Sequence, residues 1–309
     1  MLTTRQLSIF RAVMESATLT DAANALNISQ PGVSKSMQEL ENTVGFPLFR
    51  RRAGRLTPTK AARSFYSEVL IVLRAMAAAE KAAENLREAR VGYVRIAATS
   101  SLMNGLIPNA VEQFRRLRPE AQVILYSRLN HEVVRMVSDL QVDFGLVLAP
   151  TNDAGTIAET ICSAELITIL PTGHPLSERR FVTAHDLQAY PLIAHSRDLP
   201  IGWDLDQIYS NAGLLRSIAI EVSQSAAACS LVSAGAGIAV VDGFSLMNDA
   251  YPQLEVRPIQ PTVEIKARLL MPEAQDTSRL AKVFLRCLRQ TIVDASCKAD
   301  PRSRINVLR

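Results

Sequence analysis

Apolar residues recur at helical spacing from the start of the chain: Leu7, Phe10, Val13 and Met14 predict an amphipathic helix ending near Ser16 to Thr18. A short second helix is predicted over Asp21 to Leu26. Thr20 is its N-cap, and Ala22, Ala23 and Ala25 are small enough to admit a neighbouring helix. Asn27-Ile28-Ser29 reads as a tight turn. Ser29 then caps a third helix, which tolerates Pro31 because that residue falls in the first turn. Along this helix Val33, Met37, Leu40 and Val44 step by four, three and four residues and form one buried stripe. Two short apolar segments bracket the Gly-containing run from Leu48 to Pro58, predicting a small β-hairpin. Three helices followed by a hairpin, residues 1–58, make an all-α winged helix-turn-helix.

The pattern then changes twice. From Thr59, a natural N-cap, to about Arg90 there is neither Gly nor Pro. Ala62, Phe65, Val69, Val72, Met76, Ala79, Ala83 and Leu86 follow one another at alternating steps of three and four. That heptad predicts a long linker helix over residues 59–90 with a dimerising coiled-coil seam, although a helix of this kind can also lay its stripe on its own protein's core. From residue 91 to about 300, short apolar runs alternate with amphipathic stretches. The runs are Val94 to Ala98, Val123 to Tyr126, Phe144 to Leu148, Leu166 to Leu170, Leu192 to Ala194, Ile218 to Val222 and Ile238 to Val241. Pro108 to Leu117, Glu132 to Leu140 and Gln207 to Gly213 are the clearest helical stretches. Such alternation predicts an α/β body with parallel-rich sheets covered by helices.

Charge sharpens this division. The 34 Lys+Arg and 30 Asp+Glu leave a net charge of only +4, but residues 1–90 hold 13 against 8, residues 91–278 hold 13 against 20, and residues 279–309 hold 8 against 2. A basic head is suited to a polyanion and an acidic body is not. A charged fraction of 21% with 13 Gly and 15 Pro excludes a disordered or collagen-like chain. Arg5, Gln6 and Arg11 interrupt any secretory apolar segment, and no stretch is long enough to span a bilayer, so a cytoplasmic location without membrane partners is expected. The four cysteines, Cys162, Cys229, Cys287 and Cys297, are widely spaced, and reduced structural thiols are the default.

Candidate chemistry concentrates in two places. On the third helix Pro31, Ser34, Lys35 and Gln38 lie off the buried stripe and suit phosphate contacts and base-edge hydrogen bonds. The hairpin tip carries Arg50, Arg51, Arg52 and Arg55, the chemistry of a wing that touches the backbone or the minor groove. In the body, ligands are expected at the carboxyl ends of strands. Thr99, Ser100 and Ser101 follow the first strand, Arg128 and Asn130 the second, Ser196 and Arg197 a third, and Ser223 and Gln224 a fourth. Enzyme motifs fail: Gly235-Ala236-Gly237 follows a helix and lacks a third glycine, and His131, His174, His185 and His195 form no metal-spaced cluster. No enzyme activity, cofactor or metal is expected.

The run Ala22-Ala23 through Leu26-Asn27-Ile28-Ser29-Gln30-Pro31-Gly32-Val33-Ser34-Lys35 to Leu40-Glu41, followed by Gly45-Phe46-Pro47-Leu48-Phe49-Arg50-Arg51 and Leu56-Thr57-Pro58-Thr59, closely resembles the N-terminal domain of LysR-type transcriptional regulators. The resemblance extends over nearly the whole chain and adds Ser29 and Gln30 to the DNA-binding set. Lys35 stands where arginine is commoner, which favours a phosphate contact over a guanine fork. The resemblance also implies a periplasmic-binding-protein-like effector domain. Subdomain I would comprise about 91–161 and 267–296 and subdomain II about 162–266, with crossings near Ile157 to Ala164 and Glu264 to Met271. Val240-Val241-Asp242-Gly243-Phe244 resembles the branch that senses opines and basic amino acids, where Asp242 and Phe244 would meet an effector ammonium or guanidinium; the same acid can instead cap the next turn. Residues 297–309 are expected to be a disordered tail. The expected partners are a pseudo-palindromic promoter DNA site, a small-molecule effector and a second copy, with tetramers implied by the resemblance and RNA polymerase a further candidate. The alternative is a solute-binding or catalytic α/β body that the head only tethers to DNA.

Overall fold

The structure, a computed structural model, describes residues 2–16, 18–52, 55–87, 92–150, 155–273, 277–297 and 302–307. The chain divides into two compact units, Met1–Leu86 and Arg87–Arg309.

In the first unit α1 spans Thr4–Glu15, α2 Leu19–Ala25 and α3 Gln30–Val44. The cap of α2 is Thr18, not the expected Thr20. The Thr18 hydroxyl accepts from the Asp21 N–H at 3.1 Å and donates to the Asp21 carboxylate at 2.7 Å, so the helix starts at Leu19, ahead of the expected Asp21, and Thr20 falls inside it. Ser29 caps α3 by accepting from the Gly32 N–H, and Gly45, at φ 81°, ends it in the left-handed conformation that glycine adopts without steric cost. Glu41 Oε1 then accepts from the N–H groups of Leu48 (2.6 Å) and Phe49 (3.0 Å). These bonds pin the hairpin of β1 (Phe49–Arg52) and β2 (Arg55–Pro58), paired Phe49 to Pro58 and Arg52 to Arg55, onto α3. Thr59 accepts from the Ala62 N–H and opens α4 (Lys60–Arg87). Phe10 is fully buried at the centre, with the rings of Phe49, Phe65 and Tyr66 at 6.0, 5.5 and 6.1 Å.

The α4 stripe is divided between two uses. Ala62 and Val69 are buried and Phe65 is half-buried in the head's own core, so these positions are not free for a second helix. Val72, Met76 and Ala79 are exposed, as is Ile71 at 58%. A stripe that packs on its own domain and a coiled-coil seam share the same three-four spacing, so the sequence cannot tell them apart. The side chains of Ala83 and Leu86 lie outside the described residues, as do those of Arg51, Arg52 and Arg55.

The second unit runs β3 (Tyr93–Ala98), α5 (Ser100–Gly105), α6 (Ile107–Leu117), β4 (Gln122–Ser127), α7 (Asn130–Ser138), β5 (Phe144–Leu148), β6 (Thr156–Leu170), β7 (Val182–Thr183), α8 (Ala184–Leu187), β8 (Leu192–His195), α9 (Pro200–Asn211), β9 (Ile220–Val222), α10 (Ser225–Ser233), β10 (Ile238–Asp242), β11 (Glu255–Gln260), β12 (Glu264–Pro272), α11 (Arg279–Cys297) and β13 (Ile305–Val307). Its strands pair in the order β4-β3-β5-β12-β6-β10-β8-β9. Strands β4, β3 and β5 are mutually parallel, as are β10, β8 and β9. Between these halves lie β6 and β12, antiparallel to each other. Thr156 to Glu165 of β6 pair with β12, while Leu166 to Leu170 pair with β10 and β11, so one long strand passes from the first subdomain into the second. Helix α9 begins at Pro200, well before the expected Gln207, because Ile201 and Leu205 extend its buried face.

The disordered tail expected over 297–309 is corrected by the structure. Cys297 ends α11, and Ile305 to Val307 form β13, antiparallel to Ala164 to Cys162 of β6. Arg304 pairs with Glu165 at 2.7 Å and Arg302 with Asp249 at 3.0 Å. Basic residues that read as a solvated end find carboxylates and a strand edge supplied by distant sequence. Cys162, Cys229 and Cys287 are buried free thiols, and burial pushes the first two up to about 12, far from the reactive thiolate. Among the described residues no helix is long and apolar enough to cross a membrane.

Candidate nucleic-acid surface and ligand cleft

Because Val33, Met37 and Leu40 are buried on one side of α3, the residues between them face outward. Ser29, Gln30, Pro31, Ser34, Lys35 and Gln38 are all exposed, and so is Arg50 on β1. Every described side chain of the expected DNA-binding set therefore lies on the surface of one compact unit.

The second unit holds a cleft at the carboxyl ends of β3, β4, β5, β8 and β9. One wall is Thr99, Ser100, Ser101, Arg128, Leu129, Asn130 and Leu148. The other is His195, the first residues of α9, and Ser223, Gln224 and Ser225. Of the expected effector residues, Thr99, Ser100, Ser101, Arg128, Asn130, Ser223 and Gln224 line it. Asn130 is engaged in structure: its amide donates to the Leu148 carbonyl at 2.6 Å and accepts from the Leu148 N–H at 3.2 Å. Arg128 stays exposed at the mouth, and the buried Thr99 Oγ1 has no hydrogen-bond partner.

Four expected residues are not in the lining. Arg197 points to solvent and pairs with Asp206 at 3.3 Å, as the energetics of a lone exposed arginine favour, and Ser196 hydrogen-bonds Asp198 instead. Phe244 is fully buried in the core. Asp242, also fully buried, lies one layer behind the cleft and caps the following turn through the Ser245 N–H at 3.2 Å. Its Oδ2 accepts from the hydroxyls of Ser101 (2.7 Å), Ser225 (2.8 Å) and Ser245 (3.1 Å). Ser101 belongs to the first subdomain and the other two to the second, so this carboxylate ties both walls together at the base of the cleft.

Sequence reasoning missed His195. It ends β8, is 3% exposed, lines the cleft, and places Nε2 3.2 Å from Ser225 Oγ. Burial, reinforced by Arg216 and opposed by Asp242, lowers its pKa to about 4, so the ring is neutral at neutral pH. The available signal was a histidine directly after the predicted strand Leu192 to Ala194, beside Ser196 and Arg197; metal spacing alone does not find it. Gly202 in the first turn of α9 shows how tightly this corner is built, since a Cβ there would come within 1.9 Å of the Ser196 carbonyl oxygen. Gly202→Ala is expected to push α9 off the end of β8, costing about 1–3 kcal/mol; thermal unfolding checks this, and an unchanged midpoint would contradict the close approach.

A winged helix-turn-helix joined in one chain to a two-subdomain α/β body with a strand-end cleft defines a DNA-binding regulator that carries its own small-molecule sensor. The sequence matches the pattern described as "Bacterial regulatory helix-turn-helix protein, lysR family" over residues 4–63 and the "LysR substrate binding domain" over residues 87–292. It is 30% identical to the transcriptional activator protein LysR of Escherichia coli (strain K12), over 91% of this chain and 90% of that protein. It is also 30% identical to the regulatory protein NocR of Agrobacterium fabrum, over 99% of this chain and 100% of that one. Full-length CbnR crystallised with its target DNA has the same fold, at TM-score 0.54 and 22% identity, covering 94% of this chain and 99% of CbnR. The chain belongs to the LysR family and is a LysR-type transcriptional regulator with an effector-binding domain, not an enzyme.

Proposed function

We propose that α3 reads the promoter through Ser29, Gln30, Pro31, Ser34, Lys35 and Gln38, that Arg50, Arg51, Arg52 and Arg55 hold the backbone or minor groove, and that a small carboxylate or amino-acid-like metabolite binds the body's cleft. The observation that carries the DNA part is the outward face of α3, polar and cationic and set opposite the stripe of Val33, Met37 and Leu40. Two copies pair through the exposed half of the α4 stripe, Val72, Met76 and Ala79, and so present two heads to a pseudo-palindromic site. Pairs of dimers form the tetramer, and RNA polymerase is a further partner at the promoter. Effector binding shifts the population of subdomain arrangements and with it the DNA bend.

An electrophoretic mobility shift with the upstream region of the protein's own gene, across a salt series, tests this. Gln38→Ala is expected to relax preference for that region over random DNA by about 1–3 kcal/mol, while Lys35→Ala weakens all sequences alike and lowers the salt slope by about one. Wild-type behaviour in both variants, or no preference for the upstream region, would refute the assignment.

A further inference from the structure

We propose that residues 302–307 are a strap across the hinge of the body. Among the described residues they add a third link between the two subdomains, beside β6 and β12, and so limit how far the subdomains rotate against each other.

The strap starts from the first subdomain. It follows α11, whose Phe284 packs on Phe114 of α6 and Phe144 of β5 at 5.3 and 5.6 Å. It then grips the second. Arg302 pairs with Asp249 at 3.0 Å and donates to the carbonyls of Tyr251 (2.7 Å) and Leu254 (3.4 Å), so its forked guanidinium gathers the connection between β10 and β11. Ser303 is buried, and its carbonyl oxygen lies 1.9 Å from where a Cβ on Gly243 would stand. Only a residue without a side chain lets the strap pass this close to the end of β10. Arg304 takes Glu165 at 2.7 Å, at the point where β6 changes partners from β12 to β10.

Ile305 to Val307 then pair with Ala164 to Cys162 of β6. The same three residues already pair with Ile265 to Ala267 of β12 on their other edge. Strand β10 shares the strap's edge of β6, with Gly243 close to both Ala164 and Ser303, but its pairing ends at Leu166. Without β13 that edge of the crossing would carry unpaired backbone groups. With it the crossing is β12-β6-β13, and Cys162, Ser163 and Ala164 are fully buried. Rotation of one subdomain against the other is absorbed by backbone changes at a few such hinge residues. A strand laid along them has to bend with them or peel away, and the groups that hold Arg302 and Arg304 have to let go. Each of these resists the rotation. The proposed effector response is a rearrangement of the subdomains, so the strap sets how readily it occurs; that consequence rests on the reading of rearrangement as the signal, whereas the restraint does not.

Hydrogen–deuterium exchange of the full-length protein, read by mass spectrometry, tests the restraint without an effector. Arg304→Glu sets like charge against Glu165. It is expected to speed exchange about tenfold in Thr156–Glu165 of β6 and also in Glu264–Pro272 of β12, which does not pair with the strap, while β3 and β8 keep their wild-type rates. Adding Glu165→Arg to Arg304→Glu remakes the pair and is expected to return both strands to slow exchange. A chain ending at residue 301 is expected to exchange at least as fast as Arg304→Glu. Acceleration confined to β6 would show that the strap merely covers an edge and would overturn the proposal; so would equal acceleration in β3 and β8, or none in either variant. Bending of the upstream DNA fragment, measured by circular permutation, separates the consequence from the restraint. A changed bend in Arg304→Glu supports the link to the signal, and an unchanged bend beside a loosened β12 overturns rearrangement as the signal while the strap stands.

Discussion

Asp242→Ala is expected to destabilise the protein by about 3 kcal/mol, one of the largest effects of any polar substitution in the chain. The wild-type carboxylate is fully buried and accepts from three serine hydroxyls and the Ser245 N–H. Alanine removes all four bonds and leaves their donors in an interior that excludes water, at a cost of about 1–3 kcal/mol for each group that finds no substitute. Some re-pairing limits the total. Ser245 Oγ is already 3.1 Å from Ser101 Oγ, and Ser225 can turn its proton to His195 Nε2 if the ring changes tautomer. Asp242→Asn keeps the shape and one acceptor and is expected to fall between alanine and wild type. Urea unfolding measures both variants. A loss below about 1 kcal/mol in Asp242→Ala would show that the hydroxyls satisfy one another and that the carboxylate is not what joins the two walls.

Phe10→Ala is expected to unfold the head while leaving the body intact. Phe10 is fully buried and touches the rings of Phe49, Phe65 and Tyr66, so it holds α1, the hairpin and the start of α4 around one point. Deleting a buried phenylalanine side chain costs about 3–5 kcal/mol. A domain the size of Met1–Leu86 has about 5–10 kcal/mol of stability in all, so the variant sits at or near the threshold. DNA binding should disappear at physiological temperature. Because Arg87–Arg309 has its own core, with Phe114 and Phe144 packed on Phe284 at 5.3 and 5.6 Å, the body should still melt at its wild-type temperature. Scanning calorimetry separates the two outcomes, and a single shifted transition for the whole chain would show that the units do not fold independently.

The periodic parts of the molecule were legible in the residues. The stripes of α1 and α3, the hairpin around its arginines, α4 from its Thr59 cap, and the alternation of strands and helices in the body all arise from local spacing, which needs no partner to be read. Strand ends were legible too, and that brought seven of the eleven expected effector residues to the cleft.

Four features needed the tertiary structure. The stripe of α4 could serve its own head or a second copy, and only the packing of Ala62 and Val69 against the Phe10 core decides the first half. Asp242 could meet a ligand or cap a turn, and its burial behind Ser101 and Ser225 decides for the cap. The basic tail gained its place from Glu165 and the edge of β6, more than a hundred residues earlier in the chain. His195 became a cleft residue because β8 ends beside α10, where Ser225 and Asp242 orient its ring. Sequence determined the elements, the exposed polar face of α3 and the family, because these follow from short-range period and motif. The choice among partners for a given side chain belonged to the fold, because burial and hydrogen bonding are settled by residues remote in the chain.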